Sequence, residues 1–414
     1  MRVIVWGINY APEPTGIAPY NTDLCDFLVS RGHEVEMVAA FRYYPYWERL
    51  PEDRRKLWRR DQMGAVPVHR CWCYLPKQPS ALKRIFHELS FCCMSFLRML
   101  TLKRADVVVV VSPPLALGFF AWIACALRRA PFVFHVQDLQ PDAAIGLGML
   151  RQGLMIRALY WLEALAYRKA SLVSSISSGI IGAFERKGVP INKRLLFPNW
   201  LRVQPQDLSL CGDGLRVRRK FGISDSALLA LYSGNIGRKQ NIGILLEAAR
   251  LLDQTSTMAR EIVIVIGGDG AGRAELEHAL AANPCDRVKL LPLLDDKDYA
   301  DMLAAAQVCL ITQAAGTGQY FFPSKLLSAL CARVPVIAVA DADSELSAAV
   351  REGGFGECVP ADAPGPLAGT LIQLANDSHL LTSWKAGTSW VDQFARERVL
   401  PRFEQHLESL RRTE

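Results

Sequence analysis

Several common signatures of phosphate, metal and disulfide chemistry are missing from this 414-residue sequence. It contains neither the dinucleotide fingerprint G-x-G-x-x-G nor a Walker sequence, so neither of those loops can hold a phosphate here. Its eleven cysteines are scattered and match no zinc or disulfide spacing. No basic and apolar leader precedes the first strand-like run. These absences predict a reduced, cytosolic protein, and nine tryptophans with 21% charged residues exclude a disordered or fibrous chain.

The positive charge is concentrated in one region. The whole chain has 48 basic and 41 acidic residues, a net charge of +7. Between Arg42 and Arg104 there are 14 basic and 5 acidic residues, so this stretch carries +9 and the remainder −2. The asymmetry indicates an anionic partner for this region, such as a lipid surface or a phosphorylated acceptor; solvated loops are the alternative.

Two apolar segments raise the question of a membrane. The run Val107–Leu127 has no charge and is long enough to span a bilayer, but Ser112-Pro113-Pro114 interrupts it, so it is predicted to be a buried strand, a turn and a helix. The preceding segment Leu82–Leu100 reads as a helix with Phe, Leu and Met on one side and basic residues at both ends. It fits a helix lying in a bilayer interface and, equally, a crossover helix packed on a sheet.

Strand-like and helical runs alternate along the chain, which predicts α/β architecture with parallel sheets covered by helices on both faces. A break follows Asn199, after which the alternation restarts. We therefore predict an N-terminal domain at 1–200, a linker at 201–214 and a C-terminal domain at 215–382. The stretch 383–414 is predicted to be a helix that packs back on the first domain. Two Rossmann-like, doubly wound domains facing each other would leave a cleft, with ligands at the carboxyl ends of the strands.

The C-terminal domain carries the stronger candidate site. Gly234-Asn235-Ile236-Gly237-Arg238-Lys239-Gln240 lies between a strand and a helix, and its glycines and two cations suit a diphosphate; a solvated basic turn is the alternative. The run Gly267-Gly268-Asp269-Gly270 ends another strand and can wall a base or a sugar. Pro323-Ser324-Lys325 places a lysine in the first turn of a helix, where its charge is unfavourable for the helix dipole. A bound anion would offset that cost.

The N-terminal domain offers weaker signals. Gly7-Ile8-Asn9-Tyr10 ends the first strand, and Thr15-Gly16 precedes a helix whose N–H groups could face an anion. The stretch from His135 to Asp142 follows a buried strand, so its ionisable groups could recognise hydroxyls or transfer protons. Phe197-Pro198-Asn199-Trp200 closes the last strand of this domain.

Together these landmarks resemble the retaining glycosyltransferases of family 4, which have the GT-B fold, and in particular their exopolysaccharide and O-antigen branch. The resemblance covers nearly the whole chain and rests on Gly7–Ile17, Tyr43-Tyr44-Pro45, Pro76–Ser80, Gln137-Asp138, Phe197–Trp200, Ser233–Gly237 and Pro323–Leu326.

The resemblance implies a nucleotide-sugar donor held by the C-terminal domain and an acceptor held by the N-terminal domain. Cations on the leaving diphosphate would stabilise its charge, so neither a metal nor another cofactor is expected, and retention by front-face attack requires no dedicated base. The residues implied as catalytic are Lys239, Lys325, Asp138 and His135. Those implied to bind the donor are Gly16, Gly234, Asn235, Gly237, Arg238, Gln240, Gly268, Asp269, Gly270, Ser324, Ser328 and Glu345. Those implied to bind the acceptor are Asn9, Tyr10, Asp142 and Asn199.

The chain departs from the family pattern at several of these positions. Asn235 and Gln240 stand where many members have Arg and Lys, and Lys239, one position early, is the expected substitute. Ser328 stands where the family has a ribose-binding Glu, a role that Glu345 would share. The frequent His of the first domain falls near Gln137, which leaves His135 and Asp138 as alternatives.

The expected function is transfer of a sugar from a nucleotide-sugar, with GDP-fucose or GDP-mannose favoured over a UDP-sugar, to a polyprenyl-diphosphate-linked saccharide at the inner face of the membrane. The enzyme is expected to be cytoplasmic and peripherally attached, with no nucleic-acid partner. The alternatives are a nucleotide-sugar epimerase or soluble glycan synthase, and a non-catalytic sugar-nucleotide sensor.

Overall fold

The structure is a computed structural model that describes residues 1–14, 16–44, 47–76, 81–146, 153–201, 212–255, 258–316 and 324–411. The chain divides into two compact units. Unit 1 consists of Met1–Trp200 together with Arg396–Glu414, and unit 2 consists of Leu201–Ala395. Most of the predicted linker, residues 202–211, lies outside the described residues.

Unit 1 is built on one sheet. Its strands are β1 (Arg2–Trp6), β2 (Glu34–Ala40), β3 (Trp58–Met63), β4 (Val66–Cys71), β5 (Val107–Ser112), β6 (Phe132–Val136), β7 (Leu172–Ser175) and β8 (Arg194–Leu196). They lie in the order β3-β4-β2-β1-β5-β6-β7-β8. Neighbouring strands are parallel except for β3, which pairs antiparallel with β4 at one edge.

Helices cover both faces of this sheet. They are α1 (Ala18–Ser30), α2 (Ala81–Met99), α3 (Leu117–Leu127), α4 (Gln140–Gly146), α5 (Leu154–Lys169), α6 (Ser178–Arg186) and a C-terminal helix (Arg396–Ser409). The valines of β5 alternate between two cores: Val108 and Val110 pack toward α2 and α3, and Val107, Val109 and Val111 pack toward α1 and the C-terminal helix. A strand buried on both faces is therefore apolar at every position, as the run of five valines predicted.

The C-terminal helix belongs to unit 1. Its apolar residues, including Leu400, Phe403 and Leu407, recur at helical spacing and are buried against the α1 side of the sheet. The ring of Phe403 stacks on that of Phe197 with their centroids 3.7 Å apart.

Unit 2 contains a six-stranded parallel sheet in the order β11-β10-β9-β12-β13-β14. Its strands are β9 (Leu228–Ser233), β10 (Ile262–Gly267), β11 (Val288–Leu291), β12 (Val308–Thr312), β13 (Val336–Val339) and β14 (Gly356–Val359). Its helices are α7 (Gly214–Lys220), α8 (Gly243–Asp253), α9 (Arg273–Ala282), α10 (Asp296–Ala305), α11 (Ser324–Cys331), α12 (Glu345–Gly353), α13 (Pro364–Asn376) and α14 (Ser378–Gly387). Two apolar cores lie on the two faces of the sheet.

The prediction of two parallel-sheet α/β domains is confirmed, and so is the division of Val107–Leu127 into strand, turn and helix. In the described part of the chain, every helix is too short or too polar to cross a bilayer.

Five elements were not predicted: the edge strands β3 and β14 and the helices α4, α7 and α13. The stretch 383–410 is also not one helix. Helix α14 ends at Gly387, a 3-10 segment covers Thr388–Phe394, and the C-terminal helix begins at Arg396, so residues 383–395 belong to unit 2.

Candidate functional site

The loops that follow β9 and β10 in unit 2 run side by side at the carboxyl edge of the sheet. Gly234 N donates to Gly267 O over 2.8 Å, and Ile236 N donates to Asp269 O over 2.8 Å. A Cβ atom on Gly268 would lie 1.9 Å from Gly234 O, so only glycine permits this approach. The two glycine-rich motifs therefore form one surface made largely of backbone.

The Asp269 carboxylate is used within its own loop. Its Oδ1 accepts a hydrogen bond from Gly270 N over 2.7 Å, and the residue is exposed. Gly270 has φ +150°, and a Cβ atom there would lie 2.4 Å from Ile236 O. The Arg273 guanidinium, at the start of α9, donates to Gly268 O over 2.5 Å and so fixes the position of this loop.

Lys325, in the first turn of α11, lies against the first of these loops. Its Nζ donates to the Tyr232 hydroxyl over 2.6 Å and is 3.9 Å from the centre of that ring. The hydroxyl in turn donates to Asn235 O over 2.6 Å. A Cβ atom on Gly234, which has φ +123°, would lie 2.6 Å from Lys325 Cε, so the glycine makes room for the lysine. Burial lowers the pKa of Lys325 to about 7, because it penalises the charged form.

Two side-chain amides meet over Gly237. A Cβ atom on Gly237 would lie 2.8 Å from Gln240 Oε1 and 3.1 Å from Asn235 Nδ2. Among the described residues, Gln240 Oε1 is buried with no hydrogen-bond partner. A buried acceptor without a donor is costly, so Gln240 is suited to receive a hydrogen bond from a ligand.

The cationic residues of the loop are only partly defined. Lys239 is half-buried, and its carbonyl accepts a hydrogen bond from Ala314 N over 2.8 Å, which ties the loop to the segment after β12. Arg238 and Ser324 were both predicted to bind the donor, but their side chains lie outside the described part of the molecule. Their backbones begin a 3-10 turn and α11, respectively.

Ser328 and Glu345 occupy different places. Ser328 lies one turn beyond Lys325 on α11 and hydrogen-bonds the Tyr299 phenol, whose pKa burial raises to about 12. Glu345 is half-buried in the first turn of α12, after β13, two strands along from β9. Both residues lie on helices that follow strands at the carboxyl edge of the sheet, Ser328 after β12 and Glu345 after β13.

Unit 1 has a polar cluster at the carboxyl ends of β1 and β2, centred on a residue that the sequence did not single out. Glu13 is 4% exposed, and its Oε2 accepts a hydrogen bond from Asn9 Nδ2 over 2.8 Å. Its Oε1 accepts from Tyr43 N over 3.0 Å and from Tyr44 N over 2.9 Å. A Cβ atom on exposed Gly16 would lie 3.6 Å from the Tyr44 ring. Asn9 and Gly16, both predicted site residues, therefore lie around one pair of tyrosines.

His135 does not fit the predicted proton-transfer role. It is 4% exposed, its Nδ1 lies 3.0 Å from Ser174 Oγ, and its Nε2 lies 2.9 Å from Gln137 Nε2. Burial lowers its pKa to about 3, so the ring is neutral at physiological pH. Gln137 also exchanges hydrogen bonds with Asn199, over 3.3 and 3.2 Å. The histidine therefore orients Gln137 and through it Asn199, which is a positioning role.

Two predicted acceptor residues, Tyr10 and Asp142, make contacts within unit 1. Tyr10 is 1% exposed and packs in the core beside α1, where burial raises its pKa far above the usual value. Asp142 pairs with Lys187 Nζ over 2.5 Å, and the same Nζ lies 2.6 Å from Glu163 Oε2. Asp142 therefore helps to hold α4 to neighbouring helices. Asp138 is half-buried in the turn after β6, at the predicted edge.

Sequence reasoning missed Glu13 and Tyr232. Glu13 could have been noticed as an acid within Ala11-Pro12-Glu13-Pro14, where a strand turns into a helix. Tyr232 gave no signal, because a tyrosine at the end of an apolar strand reads as core.

The described residues contain one group that could bind a metal, His33 with Glu404 and Glu408. His33 Nε2 lies 2.9 Å from Glu404 Oε1, and Arg31 also pairs with Glu404. His33 precedes β2, so this group lies at the amino edge of the sheet, opposite to the predicted site.

Comparison with known proteins agrees with this architecture. The profile of the glycosyl transferase 4-like domain matches residues 15–200, and that of the glycosyl transferases group 1 matches residues 215–388. The chain is 32% identical over 355 residues to the putative colanic acid biosynthesis glycosyl transferase WcaI of Escherichia coli K12, covering 84% of this chain and 85% of that protein.

Two solved structures share the fold. A sucrose-phosphate synthase from Thermosynechococcus elongatus superposes with a TM-score of 0.74 at 16% identity, covering 99% of this chain and 98% of its own. Anabaena HepE in complex with UDP-glucose superposes with a TM-score of 0.66 at 17% identity, covering 99% and 100%. On the two domain matches and the similarity to WcaI, the chain belongs to the family 4 glycosyltransferases of the GT-B fold.

Proposed function

We propose that this glycosyltransferase moves a sugar, with retention, from a nucleotide-sugar to a polyprenyl-diphosphate-linked saccharide during synthesis of a surface polysaccharide. The observation that carries the proposal is the position of Lys325 against the Gly234 loop, which in turn packs on the Gly268 loop. The similarity to a colanic acid transferase supports the polysaccharide, and the UDP-glucose bound by HepE supports a nucleotide-sugar donor.

The chemistry follows from the leaving group. As the anomeric bond breaks, negative charge develops on the diphosphate, and a preorganised cation stabilises it more than water does. Lys325 and Lys239 would supply these cations, without a metal, together with the N–H groups of Asn235 and Gly237. The N–H groups of Gly234 and Ile236 already donate to Gly267 and Asp269. A bound anion would raise the lowered pKa of Lys325 and return its charge. Front-face attack needs no dedicated base, which agrees with the burial of His135.

The donor base defines the first experiment. The resemblance favours a GDP-sugar, with fucose or mannose, while the ligands of HepE make a UDP-sugar the second candidate. A thermal-shift panel of GDP, UDP and dTDP on the full chain should raise the melting temperature with one base only, because a ligand bound to the native state stabilises it.

Lys325→Ala should abolish that shift and lower sugar transfer by on the order of 10²–10³ in kcat. The matched control is Lys297→Ala, at an exposed lysine of the same unit, which should retain the thermal shift and the transfer activity. Absence of transfer by the wild type with every GDP- and UDP-sugar, or full activity of Lys325→Ala, would contradict the proposal.

The lipid-linked acceptor requires contact with a membrane, and we propose that unit 1 makes it through α2 and the start of β3. The outer side of α2 exposes Phe86 and Leu97, at 65% and 49%. Leu57 and Trp58 are also exposed. They lie beside α2, because Trp58 Nε1 donates a hydrogen bond to the carbonyl of Met94 on that helix. Exposed basic residues flank this apolar surface: Arg54, Arg55, Lys56, Arg60, Lys83 and Arg84.

A surface of apolar side chains rimmed by cations matches an interface rich in anionic lipid, where each Lys or Arg contributes about 1 kcal/mol. The protein should therefore sediment with vesicles containing phosphatidylglycerol, more weakly at high salt, and not with pure phosphatidylcholine vesicles. Phe86→Asp with Leu97→Asp should abolish binding. Ile191→Asp, at an even more exposed apolar position of unit 1, is the control. Equal binding by the double variant would contradict this attachment.

A further inference from the structure

Helix α2 has a second chemical feature on the side that faces the protein. Its inward residues include His87, Phe91 and Cys92, which are buried. Glu88 lies at the margin of this inward side and is half-buried. A carboxyl in such a position needs partners, because burying an unpaired charge is costly.

The described structure gives Glu88 one hydrogen-bonding partner, and that partner is neutral. Gln140 Nε2, at the start of α4, donates to Glu88 Oε1 over 3.2 Å and approaches Oε2 at 3.4 Å. Gln140 Oε1 accepts from Leu115 N over 2.5 Å, so the backbone before α3 fixes the amide. One amide leaves most of the accepting capacity of a carboxylate unused.

Glu88 lies beside the polar cluster at the carboxyl edge of the sheet. The Tyr43 ring packs against His87, the preceding residue on α2, with centroids 4.7 Å apart. The Tyr43 phenol hydrogen-bonds Asn9, and burial, together with the nearby charges of Glu13 and Glu88, raises its pKa. Glu88 and Gln140 thus extend the group of Asn9, Glu13 and Tyr43 along the edge where open α/β sheets bind ligands.

We propose that Glu88, oriented by Gln140, is a hydroxyl-recognition subsite for the acceptor saccharide. It rests on the proposed function, since it assumes that unit 1 binds a saccharide acceptor. The carboxylate accepts hydrogen bonds from one or two sugar hydroxyls, and Gln140 sets its orientation. A purely structural partner for Gln140 would not need to be an acid, because the amide of a glutamine accepts the same hydrogen bond.

The ionisation of Glu88 gives the proposal a second readout. Burial raises its pKa to about 7, although the hydrogen bond from Gln140 and the charge of Arg84 oppose that shift. In the described part of the chain, the Tyr43 phenol and the Cys92 thiol also face Glu88, and both remain neutral near pH 7 because their pKa values are raised. A hydroxyl donates more strongly to a carboxylate than to a neutral acid, so the acceptor KM should fall between pH 6 and pH 8.

The test uses the whole chain, the nucleotide-sugar whose base gives the thermal shift, and a polyprenyl-diphosphate-linked saccharide as acceptor. Glu88→Gln keeps the shape of the side chain and can still accept from Gln140, so the fold is preserved. We expect the acceptor KM to rise on the order of tenfold to hundredfold and to lose its pH dependence. The donor KM and the slow hydrolysis of donor without acceptor should not change. Glu185→Gln, an exposed carboxylate of unit 1 paired with Arg194, is the matched control.

Stability separates recognition from a structural role. Because the folded-state pKa of Glu88 lies above its ordinary value, Glu88 weakens the fold as pH rises from about 4.5 to 7. Glu88→Gln should therefore melt at a higher temperature than the wild type at pH 8. An unchanged acceptor KM and pH profile, or a lower melting temperature at every pH, would overturn the subsite. A wild type inactive with every donor and acceptor would instead contradict the proposed function.

Discussion

The carboxyl edges of the two sheets are built by different means. In unit 2, backbone packs on backbone, Gly268 on Gly234, and Lys325 lies against Gly234. In unit 1, the edge is made by side chains, with Glu13 binding two backbone N–H groups and Asn9. Backbone N–H groups and a cation suit a phosphate, while carboxylates and amides suit hydroxyls.

This difference decides what a sequence can reveal. A glycine with positive φ or a Cβ clash has no substitute, so its position in the sequence directly marks a special backbone. A glutamate or histidine has no fixed role, because its behaviour depends on the residues packed around it. The glycine surface should therefore tolerate change least, and the side-chain edge should respond in a graded way.

Gly234→Ala should have the largest effect. The new Cβ atom would lie 2.6 Å from Lys325 Cε at a φ of +123°, so the loop or the lysine must move. We expect kcat/KM for the donor to fall at least on the order of a hundredfold, since misplacing a catalytic group by about 1 Å has that consequence. Steady-state kinetics with circular dichroism would measure this.

Gly369→Ala is the control for that change. Gly369 lies inside α13 with open space around its Cβ position, so alanine should leave activity intact and stabilise the helix slightly. If Gly234→Ala retains wild-type kinetics, the glycine surface is not the donor site and the contrast between the two edges is lost.

Glu13→Gln should have an intermediate effect, which lowers stability and acceptor binding and leaves nucleotide binding unchanged. The amide keeps one accepting oxygen, but its NH2 group cannot accept the hydrogen bond from Asn9 as the native oxygen does. We expect a loss of about 1–3 kcal/mol in the free energy of unfolding, because a buried donor is left unsatisfied. The acceptor KM should rise while nucleotide affinity stays constant. Urea denaturation measures the free energy of unfolding, steady-state kinetics the acceptor KM, and thermal shift the nucleotide affinity. Weakened nucleotide binding without a change for the acceptor would reverse the assignment of the edges.

The same distinction explains how far the fold and the site could be predicted. The apolar strands were found because burial on both faces requires apolar residues at nearly every position, as in β5. The edge strand β3 was missed because its Arg59, Arg60 and Asp61 read as a solvated loop. A charged strand is suited to a sheet edge, but only pairing with β4 reveals it.

In the site, the glycine loops and Lys325 could be located from the sequence, and the role of His135 could not. The partners that bury it, Ser174 and Phe197, are 39 and 62 positions away in the chain. Nothing near His135 in the sequence distinguishes a buried positioning histidine from an accessible base. Tertiary packing decides the pKa, and local composition does not encode it.

The smallest expected effect is the uptake of protons that accompanies nucleotide binding. Lys325 has a lowered pKa of about 7, so at pH 8 much of the population is neutral, whereas a bound diphosphate favours the ammonium form. Nucleoside diphosphate binding at pH 8 should therefore take up as much as one proton, and at pH 6 almost none. Calorimetric titrations in two buffers of different ionisation enthalpy measure this number.

Lys325→Met removes the titrating group and should bring the uptake at pH 8 to zero, while Lys297→Met should leave it unchanged. Because the folded-state pKa lies below the usual 10.5, the fold itself should become more stable as pH rises from about 7 to 10.5. Nucleotide affinity should move in the opposite direction over that range. If affinity and stability rose together with pH, Lys325 would be a packing residue, and the unit 2 edge would rely on backbone N–H groups alone.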